Sequence, residues 1–191
     1  SALNLKEVRI KGGNMVNIPG YDVITGEDDE LPTYCFFKKA TLTNFVFPDT
    51  LKVIREYAMG STGISGSLNI PEGVVEIGFG AFGDCLNLNG TLSLPSTLKR
   101  ITGINAFLNA PFVCELKLPD GLEEIGEQCF LNCPGFYGEL KLPSHLKKLG
   151  RRAFAGCKNL TGNLEIPQTL TAIPAGAFDG CWFGGNLQLH N

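Results

Sequence analysis

The sequence is short of the groups that catalysis and nucleic-acid binding draw on. Its 191 residues include two histidines and one tryptophan, and the net charge is only −3. With a pI near 5.4 the chain offers no basic face for a phosphate backbone. No apolar run approaches the ~18 residues of a membrane span. The opening stretch SALNLKEVRI lacks the basic-then-apolar layout of a leader peptide, so a leader is expected to have been removed or never present. His145 follows a proline in a turn and His190 is the penultimate residue. Neither belongs to a His-x-x-x-His or triad pattern, and a nucleophile needs a base within hydrogen-bond reach. An enzyme is not expected.

What the chain has is rhythm. Pro48, Pro71, Pro95, Pro119, Pro143 and Pro167 lie 23, 24, 24, 24 and 24 residues apart. Most close the same phrase: SLNIP, TLSLP, ELKLP, ELKLP and NLEIP, with NFVFP as a looser first copy. Self-similarity at a period of about 20–50 residues marks a solenoid, in which each unit buries its apolar face only against its neighbours. The repeat favours one elongated array over two globular domains.

Each position of the repeat has a reading. Three residues after the proline comes Leu51, Val74, Leu98, Leu122, Leu146 or Leu170, and three later Ile54, Ile77, Ile101, Ile125, Leu149 or Ile173. A small–large pair follows: Ala58-Met59, Ala81-Phe82, Cys129-Phe130, Ala153-Phe154 and Ala177-Phe178. Ala106-Phe107 arrives one residue late, because ITGINAF carries an extra residue. Three residues on sits Cys85, Cys133, Cys157 or Cys181. The closing phrase alternates as a half-buried strand does. It places Leu92, Leu94, Leu116, Leu118, Leu140, Leu142, Leu164 and Ile166 inward, and ends at proline, which has no ladder N–H. Stacked copies predict a parallel sheet of seven strands ~4.8 Å apart.

Upstream, LPTYCFFKK at 31–39 is a degenerate copy, and MVNIP at 15–19 resembles another strand-and-proline phrase. Residues 1–30 are expected to form an atypical N-terminal cap carrying the acidic insertion GYDVITGEDDE, with repeats of about 24 residues over 31–191. NLQLHN supplies the last strand, so the chain is expected either to continue or to pack this end against a partner.

The pattern of proline, Leu-x-x-Ile, Ala-Phe, a cysteine three residues later and a closing Leu-x-Leu-Pro resembles the BspA-like leucine-rich repeats. IPEGVVEIGFGAFGDCLNLNGTLSLP and LPSHLKKLGRRAFAGCKNLTGNLEIP carry it in full. The resemblance implies a β-rich α/β solenoid, curved, with a parallel sheet on the concave face and turns or short helical segments on the convex side. It also implies an extracellular or cell-surface bacterial protein, some of whose relatives bind host proteins or mediate adhesion. A structural spacer within a longer surface chain is the alternative.

Several motifs dissolve into the repeat. GFGAFG at 78–83 is a literal GxGxxG string, but GEQCFL and GRRAFA fill the same register without the glycines and no βαβ unit surrounds it. The cysteine slot also accepts Thr62 and Ala110, as a small packing position would, which favours a column of buried thiols. Seven cysteines is an odd number, so at least one is unpaired or pairs between chains. Cys129 and Cys133 lack a second pair with zinc spacing. Glu27-Asp28-Asp29-Glu30 lacks the spacing of a calcium loop. No cofactor and no metal are expected. Lys99-Arg100, Glu123-Glu124 and Lys147-Lys148 predict an alternating charge ladder, with Glu127 beside Arg151.

The outward positions of the closing phrase form the candidate binding strip: Asn69, Thr91, Ser93, Glu115, Lys117, Glu139, Lys141, Asn163 and Glu165, with Asn44, Val46, Ser67, Asn186 and Gln188 at its ends. The strip has no Trp, Tyr or Arg, the types enriched at hot spots. The carboxylates recur at solvent positions of the repeat rather than converging. Tyr21, Tyr34 and Trp182-Phe183 are further contact points, the last pair expected chiefly as core filler.

Overall fold

The computed structural model describes residues 2–6 and 28–189. It is a parallel β-solenoid of about seven coils. Residues 7–27 of the cap expected over 1–30, including MVNIP, Tyr21 and most of the acidic insertion, and His190 lie outside the described residues.

The longest sheet is not the one the Leu-x-Leu-Pro phrase predicts. Six parallel strands form instead on the segment after each proline: Glu30–Leu31, Val53–Ile54, Glu76–Ile77, Arg100–Ile104, Glu124–Glu127 and Lys148–Leu149. Their inward residues Ile54, Ile77, Ile101, Ile125 and Leu149 stand in register and are buried. The closing phrases pair in four shorter groups, such as Leu68–Asn69 with Leu92–Ser93 and Leu164–Ile166 with Leu187–Leu189. A third group joins Cys114–Glu115, Phe136–Glu139 and Asn159–Thr161 with an offset of 22 residues, since Tyr137 faces Glu115. Gly138 lies within the middle strand at φ 81°, a left-handed conformation that glycine tolerates.

The expected short helical segments are absent from the described residues; turns take their place. Each coil has two left-handed residues four apart, at Tyr34, Tyr57, Gly80, Asn105, Gln128, Arg152 and Gly176 and again at Lys38, Ser61, Asp84, Asn109, Asn132, Gly156 and Gly180. A right-handed helix cannot run through such residues. The turns are instead hydrogen-bonded coil to coil: Gly80, Phe82 and Asp84 N–H donate to the carbonyls of Ile104, Ala106 and Leu108 at 2.8–2.9 Å. Buried backbone groups are thereby satisfied without a regular element.

The extra residue of ITGINAF is absorbed as a bulge, where the register slips between Ile125 and Glu127 and Gly103 takes φ 76°. Beyond it Phe107 returns to its slot. Phe82, Phe107, Phe130, Phe154 and Phe178 then stack face to face, with centroids 5.4, 5.3, 5.4 and 5.7 Å apart and planes within 13°. This column is the spine of the core. Beside it the cysteine slot makes its own ladder: Cys85, Cys133, Cys157 and Cys181 thiols donate to the carbonyls of Met59, Phe107, Phe130 and Phe154 in preceding coils at 3.1–3.2 Å. All seven cysteines are free. Burial pushes the Cys133 thiol up to about 12 and the Cys181 thiol to about 11, so these groups stay protonated donors rather than nucleophiles. At the last coil the expectation for Trp182 is overturned: it is 74 % exposed, while Phe183 alone packs onto Phe178.

The charge ladder on the six-stranded sheet is present with an altered pairing. Glu76, Arg100, Glu124 and Lys148 lie in register, and Arg100 bonds back to Glu76 at 2.6 Å while Lys148 takes Glu124 at 2.6 Å. Lys147 pairs with Glu123 at 2.7 Å, and this hydrogen bond holds the Glu123 carboxyl below its usual range. Arg55 forks onto both oxygens of Glu30, each at 2.7 Å. Glu127 and Arg151 form no ion pair. Exposed pairs are individually weak and screened by salt. Replacing Glu123→Lys together with Glu124→Lys is expected to lower the melting temperature by a few degrees at low salt, with the loss shrinking at high salt. A loss independent of salt, read by thermal melts at two ionic strengths, would rule the ladder out as a source of stability.

Candidate functional site

The closing phrase buries Leu116, Leu140 and Leu164 and so turns the residues between them outward. Along one coil this places Glu115 and Lys117 on the surface, with Asp120 just past the proline. The next coils supply Glu139 and Lys141, then Asn163 and Glu165. Two adjoining grooves run over these side chains. The larger, about 740 Å³, is lined by Asp120, Glu139, Lys141, Asn163, Glu165, Gln168 and Gln188 among others. The second, about 430 Å³, is lined by Glu115, Lys117, Asp120, Glu139 and Lys141. Asp120, Glu139, Lys141 and Leu142 belong to both.

Six of the nine strip residues therefore meet in one continuous surface. Asn69, Thr91 and Ser93 do not reach it. Thr91 is occupied by Ser67, whose hydroxyl accepts from the Thr91 N–H at 3.0 Å and lies 3.1 Å from its hydroxyl. Asn69 faces Ser93 across a separate pair of strands. Asn163 accepts the Asn186 N–H at 2.9 Å, which anchors its side-chain oxygen at the groove's far end.

The expectation that carboxylates do not converge is corrected here: Glu115, Asp120, Glu139 and Glu165 line the same surface. The stem of Glu115 lies over Gly138 and that of Glu139 over Gly162, close to where a Cβ would stand. Glu115, Lys117, Glu139 and Lys141 take no part in the ion pairs among the described residues, all of which lie on the other sheet.

One groove residue, Asp120, and one residue beside the groove, Tyr137, were missed in the sequence. Asp120 occupies a slot filled elsewhere by Ser96, Ser144 and Gln168, and only the fold shows that this slot closes the groove. Tyr137 reads by period as a turn residue, yet the offset pairing at Gly138 sets it opposite Glu115 with 48 % of its surface exposed. An aromatic in a slot held by Val113 and Thr161 in adjacent copies was the available signal. His145 Nδ1 lies 3.1 Å from Ser144 Oγ and 3.2 Å from the Asp120 carbonyl, which can only accept from it, so the ring is tied to the turn.

The family model of the BspA type leucine rich repeat region matches residues 29–161 and 136–191 in six copies. The chain belongs to the BspA-type leucine-rich-repeat family. Among solved structures, a leucine-rich repeat protein from Bacteroides ovatus is similar to it at 26% identity and a TM-score of 0.71, over 91% of this chain and 45% of that one. The leucine-rich repeat protein of T. pallidum is similar at 24% identity and a TM-score of 0.58, over 73% of this chain and 64% of the other. This BspA-type chain thus spans about half to two thirds of the length of these relatives. No curated protein matches it. No described helix is long and apolar enough to cross a membrane.

Proposed function

We propose that this BspA-type repeat array is a non-enzymatic, surface-displayed or secreted binding module that engages a protein through the Leu-x-Leu-Pro face. Repeat solenoids commonly bind along such extended surfaces. The observation that carries the reading is the treatment of charge on the two sides of one molecule. On the six-stranded sheet sign alternates from coil to coil and ion pairs form at 2.6–2.7 Å. In the groove sign repeats, Glu115 with Glu139 and Lys117 with Lys141, although Thr, Ser and Asn serve the same positions in other coils. Glu115 stands opposite Tyr137 and Glu139 opposite Thr161, so these charges are not paired across strands, and none of the four joins an ion pair among the described residues. The fold does not need them, so a ligand is the better reason for their presence.

The test is capture of a panel of immobilised extracellular-matrix proteins by the wild type and by a variant with Glu115→Lys, Lys117→Glu, Glu139→Lys and Lys141→Glu. Capture lost in the variant, with its melting temperature kept, supports the groove. Equal capture by both places binding elsewhere.

The exposed end of the last coil favours a second reading, a stacking or spacer unit. Ile173, Trp182, Leu187 and Leu189 are each more than 40 % exposed there, while inner coils bury the equivalents Ile125, Leu140 and Leu164. Concentration-dependent self-association weakened by Trp182→Ala would support it.

A further inference from the structure

The groove's charges stand in an order, and the order points to a ligand class. This inference rests on the groove reading above and refines it. Going along the coil, Glu115, Lys117 and Asp120 present negative, positive, negative at successive outward places. Across the coils, Lys117 and Lys141 lie in one groove, with Glu115 and Glu139 on one flank and Asp120 toward the other, while Glu165 takes the lysine position in the next coil. Two lysines are thus enclosed by four carboxylates. Among the described residues neither lysine is in an ion pair, so both ammonium groups have donors to give.

The net balance of the lining opposes a polyanion, because four carboxylates outnumber two lysines. It equally disfavours a uniformly basic segment, which would set a cation on the lysine pair. An extended polypeptide displays alternate side chains on one side ~6.6–6.8 Å apart, the same spacing as the strand beneath it. We propose that the groove takes an extended peptide segment whose alternate residues read basic, acidic, basic. The acidic side chain seats on Lys117 and Lys141, and the basic ones on the flanking carboxylates. Tyr137, exposed on the strand position opposite Glu115, is an aromatic beside the groove that such a segment could touch.

The experiment is a nuclear magnetic resonance titration of the 15N-labelled full chain at low salt. Its probes are blocked peptides containing Lys-Ser-Glu-Ser-Lys, the inverse Glu-Ser-Lys-Ser-Glu, and a scrambled Lys-Lys-Ser-Ser-Glu. The wild type is expected to bind the first about five- to tenfold more tightly than the other two, as a few exposed pairs allow. Its shifts should centre on residues 115–120 and 137–141, and selectivity should shrink with salt. The four-fold charge exchange used above should reverse the preference toward the inverse peptide. The same midpoint for all three peptides, or a preference the exchange leaves unchanged, overturns the charge order while leaving the groove as a binding face. Displacement of the peptide by a heparin fragment overturns the ligand class. If none of these probes and no matrix protein shifts a groove resonance, the groove reading fails with it.

Discussion

Replacing Phe130 by alanine is expected to cost about 3–5 kcal/mol of stability, the range for removing a large aromatic from a core that cannot collapse around the gap. Phe130 is fully buried, stacked on Phe107 at 5.3 Å and on Phe154 at 5.4 Å, and met edge-on by Phe136 at 5.7 Å. The two stacked contacts lie between coils, and only the edge-on contact with Phe136 lies within one. Solenoid stability is close to a sum of unit and nearest-neighbour terms, so the damage has a predictable form. The variant should lose cooperativity as well as free energy, with the coils before residue 120 and those after 140 melting at separate midpoints in urea. Phe178→Ala is the internal control. That ring is only half-buried and has one stacked neighbour, Phe154 at 5.7 Å, with Phe183 edge-on. Its loss should be less than half that of Phe130. Equal losses would mean that the rings act as isolated apolar groups rather than as a column.

Much of this was legible because a 24-residue period fixes which residues become neighbours. The proline rhythm alone places Phe82 over Phe107 and Cys133 beside the Phe107 carbonyl, and it reduces GFGAFG to a stretch of turn. Even the late Ala106-Phe107 pair betrayed the bulge that restores its slot. What the period could not show is backbone conformation inside the unit. Alternation in GELKLP places the strand there, yet the strand runs over Phe136–Glu139, through the left-handed Gly138, and its offset sets Tyr137 opposite Glu115. The Leu-x-x-Ile segment has only a weak alternating signal, yet it forms the continuous sheet, which runs on even through Arg100–Ile104 with its left-handed Gly103. The turn side shows the same limit. Tyr57, Gln128 and Arg152 are poor sequence signals for a left-handed residue, and they adopt it because coil-to-coil hydrogen bonds require it. The groove was half legible. Its strand residues follow from alternation, while Asp120 joins them only through the course of the turn after Pro119.

The same spacing sets the second large effect. Gly150→Ala is expected to cost about 3 kcal/mol or more, at the upper end for a methyl group forced into a filled site. Gly150 follows Leu149, and its N–H donates to the Ile125 carbonyl at 2.8 Å. A Cβ there would overlap the backbone of the preceding coil at Gly126 and Glu127, and backbone cannot rotate away as a side-chain tip can. Gly150 does not need a left-handed conformation, so the penalty isolates coil-to-coil approach. Two other glycines separate the causes. Gly66 has open space around its Cβ position but sits at φ 78°, so Gly66→Ala should cost only about 1–2 kcal/mol from backbone strain. Gly184 has neither restriction, and Gly184→Ala should be neutral or stabilise by about 0.4–1 kcal/mol through the unfolded chain. Urea midpoints of the three variants should therefore rank 184, 66, 150 from most to least stable. If Gly66→Ala proved the worst, turn conformation would limit the array; if Gly150→Ala does, the limit is the distance between coils, the same distance that holds the phenylalanine column in contact.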